Sequence, residues 1–177
     1  MKTILMIAAA SALALTATAT VASAQDTSGQ TSYASVGVTS THGNKTGTSL
    51  SGINARIGTK LTPHFGVEGE AAFGTNKDTG PDGKYKLTDK VAAYGVGYLP
   101  VSSNFDLLAR VGVADTRLKR PDIDTTKDES GTSLDYGVGA QYHMTRDYAL
   151  RADVTESDFV NHKGTANTAT LSLVKAF

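Results

Sequence analysis

The chain contains no cysteine, so disulfides are excluded and the fold must be held by a packed core or by a sheet closed on itself. Charge of one sign is missing too. Seventeen Lys and Arg balance seventeen Asp and Glu, and no global field draws the protein towards nucleic acid. Beyond the first 15 residues no run is apolar and long enough for a membrane helix, which needs about 20 residues. Histidine is scarce, with four in all. Neither a cysteine-based metal cluster nor a glycine-rich phosphate cradle is present, and no metal or cofactor is expected.

What is there begins with a basic start at Lys2 and an apolar stretch from Ile4 to Ala10, extended through Leu15. Small residues then close on Ala22-Ser23-Ala24. That order is the pattern of a secretory signal cleaved after Ala24, and it leaves residues 25–177 as one domain.

The remaining chain is written in period two. Ile53, Ala55, Ile57 and Leu61 alternate with Asn54, Arg56, Gly58 and Lys60, the pattern of a strand with one apolar face. Phe65, Val67, Gly69, Ala71 and Phe73 oppose Gly66, Glu68, Glu70 and Ala72 in the next run. The alternation returns over residues 105–114, 133–143, 148–155 and 168–177, with weaker runs near Tyr33–Thr39 and Val91–Leu99 whose phase stays open. About eight strands result, each near the 9–11 residues that cross a bilayer when tilted. Short connections at 62–64, 100–104 and 144–147 alternate with longer polar ones at 40–50, 75–88, 116–131 and 156–165, the asymmetry of an outer-membrane barrel.

Period two alone does not say which face points inward. Gly58, Gly66, Gly112, Gly137 and Gly139 all fall on the polar face, where a missing side chain makes room in a narrow interior. Phe65, Tyr142, Tyr148 and Phe177 fall on the apolar face beside the short turns, as a periplasmic aromatic girdle would. Both features place the polar face inside and the apolar face in lipid. The expected fold is therefore an all-β, up-and-down antiparallel transmembrane barrel.

The segments FGVEGEAAFG at 65–74, GYLPVSSNFDLLARVGVA at 97–114 and TLSLVKAF at 170–177 resemble the OmpA-like or opacity-type small outer-membrane β-barrel family across essentially all of residues 25–177. The resemblance implies a closing strand read by the barrel assembly machinery, with Thr170, Leu173 and Phe177 as the matching signal. Ser172 stands where the family usually has glycine, and Lys175 where it usually has an apolar or aromatic residue.

On the predicted inner face lie Arg56, Lys60, Glu68, Glu70, Arg110, Asp135, Arg151 and Asp153. Their mixed signs suit a salt-bridged network that plugs the lumen, with a narrow ion path as the alternative. An enzymatic reading would turn on His42 and His162 in the first and last outer loops, in the manner of lipid A hydrolases of similar size. No His-x-Ser pairing supports it, since Lys163 and Gly164 follow His162. His64 and His143 sit near the short turns. The loop holding Lys119, Arg120, Asp122, Asp124, Lys127, Asp128 and Glu129 lacks the glycine and closing Glu of a calcium loop and reads as a solvated surface, with lipopolysaccharide phosphate or a host ligand as its partner. The sequence thus points to a monomeric, non-enzymatic surface protein in contact with outer-membrane lipid and lipopolysaccharide.

Overall fold

The structure is a computed structural model that describes residues 31–44, 49–75, 77–80, 83–119, 129–160 and 164–177. The segment expected as a signal, 1–24, lies outside the described residues. Nine strands follow in order: β1 (Thr31–Gly43), β2 (Ser49–Thr62), β3 (Phe65–Gly74), β4 (Lys77–Gly80), β5 (Gly83–Ser102), β6 (Phe105–Lys119), β7 (Glu129–His143), β8 (Tyr148–Phe159) and β9 (Gly164–Ala176). Every pairing is antiparallel between neighbours, and β3 also pairs with β5. The ring closes where β1 meets β9, in register from Tyr33 opposite Ala176 to Gly43 opposite Ala166. Eight strands form the barrel, while the four-residue β4 only extends the hairpin that leads into β5. Closure pairs each of the eight barrel strands on both sides, which a sheet in lipid requires because hydrocarbon offers no partner to a free N–H or C=O.

Exposure decides the question of faces. Val138, an outward residue of β7, is 67% exposed, whereas Asp135 and Arg151 are at 0%. Ile53, Ile57, Phe73, Val91, Leu107, Val111 and Val113 likewise face outward, an arrangement that inverts the order of a soluble protein. The two runs of open phase are settled as well. Tyr33, Ser35 and Thr39 of β1 point inward, and so do Tyr94, Val96 and Tyr98 of β5. Among the described residues three tyrosines therefore occupy the lumen, where only an outward aromatic girdle was expected.

The longer connections are shorter than the sequence suggests. β1 runs on to Gly43, β2 starts at Ser49, β5 starts at Gly83 and β6 reaches Lys119. Strand pairing continues past the apolar belt because ladder hydrogen bonds do not need an apolar side chain, so polar composition was mistaken for loop. The short turns hold, and Pro100 sits at a register irregularity between Pro100 and Ser102, where a missing N–H is tolerated.

Interior glycines seat the tyrosines. A Cβ on Gly58 would stand 2.5 Å from Cζ and Oη of Tyr33, its ring coming from the paired strand. A Cβ on Gly112 would strike the Ala93 carbonyl oxygen and stand 2.6 Å from Tyr94 Cδ1. Gly112→Val is therefore expected to cost about 1–3 kcal/mol by overpacking. Gly97→Ala, whose Cβ meets nothing nearer than 3.9 Å, is expected to fold as the parent does. Urea titration of the refolded barrels, read by the gel mobility of folded and unfolded forms, measures the difference.

Candidate functional site

Because side chains alternate across a strand, each inward position on the ring adds a group to a single narrow column. At its centre three arginines meet three carboxylates. Arg56 donates from Nε to Glu70 Oε2 at 2.6 Å and from both terminal nitrogens to Asp153, at 2.6 and 3.0 Å. Arg110 donates to Glu70 Oε2 at 2.9 Å, and its other terminal nitrogen lies 3.5 Å from Glu68 and 3.6 Å from Asp153. Arg151 donates to Glu68 Oε2 at 2.7 Å, with its Nε 3.2 Å from Asp153. All six side chains are buried, so each charge depends on its partners rather than on water.

A second group lies towards the end that carries the longer hairpins. Asp135 accepts from Lys90 at 2.6 Å, from the Tyr94 hydroxyl at 2.7 Å and from Ser133 at 2.7 Å. The Tyr94 ring also stacks under the Arg110 guanidinium, 3.6 Å from its centroid, which ties this group to the central one. A third group lies towards the short turns. There Asp106 accepts from Lys60 at 3.3 Å and contacts Nε2 of His143 at 3.0 Å, while Lys60 sits 4.2 Å from the Tyr98 ring centroid. Tyr33 links this end to the centre, donating to Glu68 Oε2 at 2.9 Å with its oxygen 2.8 Å from that of Tyr98.

Arg56, Lys60, Glu68, Glu70, Arg110, Asp135, Arg151 and Asp153 thus all line one lumen. Sequence reasoning passed over Lys90, Asp106 and the three tyrosines. Asp106 was already on the polar face of its run, but Lys90, Tyr94 and Tyr98 belong to the strand whose Tyr-Gly-Val-Gly-Tyr alternation left the phase ambiguous. With them included, Arg56, Lys60, Lys90, Arg110 and Arg151 face Glu68, Glu70, Asp106, Asp135 and Asp153, five charges of each sign among the described residues. None comes from β1 or β9, whose inward side chains above Tyr33 are small and uncharged, including Ser35, Thr39, Thr170 and Ser172.

Phe65, Tyr142 and Phe177 are exposed on the outer face near the short turns, and Tyr148 is half-buried there. Thr170 is inward, Leu173 partly exposed and Phe177 outward, with the Phe177 amide donating to the Ser32 carbonyl at 3.0 Å. His42, exposed near the C-terminal end of β1, has Nδ1 3.2 Å from Ser49 Oγ. Its suggested counterpart His162 lies outside the described residues, as do Arg120, Asp122, Asp124, Lys127 and Asp128. Among the described residues no group of three or more His, Asp or Glu could hold a metal ion.

A family model for the outer membrane protein beta-barrel domain matches residues 7–177. The fold is similar to that of Ail, the attachment invasion locus protein of Yersinia pestis solved with the heparin analogue sucrose octasulfate, with a TM-score of 0.62 and 18% identity over 85% of this chain and 100% of that one. The N-terminal β-barrel domain of OprF from Pseudomonas aeruginosa gives a TM-score of 0.62 at 12% identity, covering 82% and 97%. OprG from Pseudomonas aeruginosa gives 0.56 at 11% identity, covering 85% and 96%. At these identities the likeness is one of fold. No curated protein matches the chain.

The central network sets a test. Arg56→Met leaves Glu70 and Asp153 short of a cation and is expected to cost about 3–5 kcal/mol. Arg56→Met combined with Asp153→Leu restores neutrality and is expected to recover most of that loss, as read by urea unfolding of each barrel in phospholipid vesicles.

Proposed function

The chain belongs to the outer membrane protein β-barrel family, and from that membership we propose that it is a plugged, non-enzymatic barrel that supports the envelope and displays its longer hairpins at the cell surface. In this reading residues 1–24 are a signal removed on export, and the mature protein is a monomer. Its short turns face the periplasm. Outer-membrane lipid and lipopolysaccharide surround it, and the barrel assembly machinery inserts it. The observation that carries the reading is the pairing, among the described residues, of five lumen cations with five lumen anions across the column, a balance that favours neither a cation nor an anion. An ion passing through would have to separate buried pairs in a region of low dielectric, where each pair is held strongly.

Purified barrel in planar bilayers is expected to give no stable single-channel openings. Reproducible openings of uniform size would replace the plug with a narrow pore. The outward girdle of Phe65, Tyr142, Tyr148 and Phe177 fits the periplasmic interface, and the signal of Thr170, Leu173 and Phe177 fits recognition during insertion. Phe177 supplies the terminal aromatic, whereas Ser172 faces the lumen and departs from the family pattern. Phe177→Ala is accordingly expected to lower the amount of barrel in the outer membrane more than Ser172→Ala does. Equal amounts of the two variants in fractionated membranes would contradict this.

A further inference from the structure

Lys175 has no place in either the plug or the assembly signal. On β9 the outward residues Ala169, Leu171 and Leu173, followed by Phe177, form an apolar series that Lys175 interrupts. It is exposed, and its ammonium lies 5.9 Å from the centroid of the Tyr148 ring. No carboxylate of the described residues pairs with it. Next to it is the turn between β7 and β8, since the Ala176 amide donates to the Asp147 carbonyl at 2.7 Å and Tyr148 is the register partner of Lys175. That turn carries Arg146, exposed and likewise without a carboxylate partner among the described residues, beside the exposed Asp147. Around this corner Tyr142, Met144, Leu150 and Phe177 are exposed apolar side chains.

We propose that Lys175 and Arg146 form a docking site for the phosphate of a phospholipid in the periplasmic leaflet, whose acyl chains run towards the bilayer centre over Leu150, Leu173 and Leu171. An ammonium in a lipid-facing register is tolerated where it reaches the headgroup layer, and a phosphate there supplies the anion that the protein does not. Tyr148 holds the Lys175 ammonium at the interface through its ring, as interfacial tyrosines do with cations. The site rests on the orientation given above, with short turns in the periplasm. It is independent of whether ions cross the lumen.

The test uses the full mature barrel in vesicles of anionic dioleoylphosphatidylglycerol mixed with a neutral digalactosyl lipid that has no phosphate. After gentle release, native mass spectrometry counts the lipid retained of each kind. The parent barrel is expected to keep phospholipid over galactolipid by about fivefold or more, the effect of one basic residue near an anionic surface. Lys175→Gln with Arg146→Gln is expected to bring that ratio to about one, while Lys175→Arg keeps it. Arg117→Gln, at the opposite rim, leaves it unchanged. A parent ratio near one, or a preference that survives in the double glutamine variant, overturns the site. Should the double variant fail to fold by gel mobility, Lys175→Gln alone must lower the ratio or the proposal falls. Channel openings in the bilayer experiment, by contrast, would end the plug reading and leave this ratio as it is.

Discussion

Closure of the sheet between β1 and β9 is the constraint on which the rest of the molecule depends. A strand in hydrocarbon cannot leave its backbone polar groups unpaired, so the first strand must find the last, and the register from Tyr33–Ala176 to Gly43–Ala166 does this. Once eight strands close, the interior is about as wide as its side chains fill, and it is too polar to pack as an oily core. Its charges must then satisfy one another. The central network also acts on the seam itself. Arg56 on β2 grips Asp153 on β8 with two hydrogen bonds, and Arg151 on β8 reaches Glu68 on β3, so both contacts reach across the seam strands β1 and β9. Among the described residues the seam strands contribute no charge to the lumen, and the ion pairs that brace them there come from other strands.

Tyrosine and glycine complete the interior as a matched pair of choices. Tyr33 lies over Gly58, and Tyr94 lies over Gly112, each across one pairing of strands. The rings fill width that a small barrel still leaves open, while their hydroxyls serve Glu68 and Asp135. A larger residue at either glycine would push the ring away and break the hydrogen bond beyond it. Packing and electrostatics in the lumen are thus coupled, because the same tyrosine does both jobs.

Much of this was legible along the chain. The alternation through Ile53–Leu61 and Phe65–Phe73 declares strands, and glycines on the polar side of those runs declare a crowded interior. The inward set from Arg56 to Asp153 follows from phase alone wherever one face is plainly apolar. Where both faces carry small or aromatic residues, as in Ala93 to Tyr98, phase has no such marker, and Lys90, Tyr94 and Tyr98 were missed for that reason. The outer ends of the strands were misread as loop because hairpin pairing persists above the lipid, where selection for apolar residues stops but backbone hydrogen bonding does not.

By itself, the sequence determined that the chain makes amphipathic strands, that their number and length suit a membrane, and which side chains share a face. These are local properties, set by a two-residue period and by residue type. Which carboxylate each arginine holds was decided only by the tertiary structure. Arg56 and Asp153 are far apart along the chain, and their meeting depends on ring closure and on the stagger between strands. No local pattern encodes that stagger, since it arises from the summed register of every hairpin around the barrel.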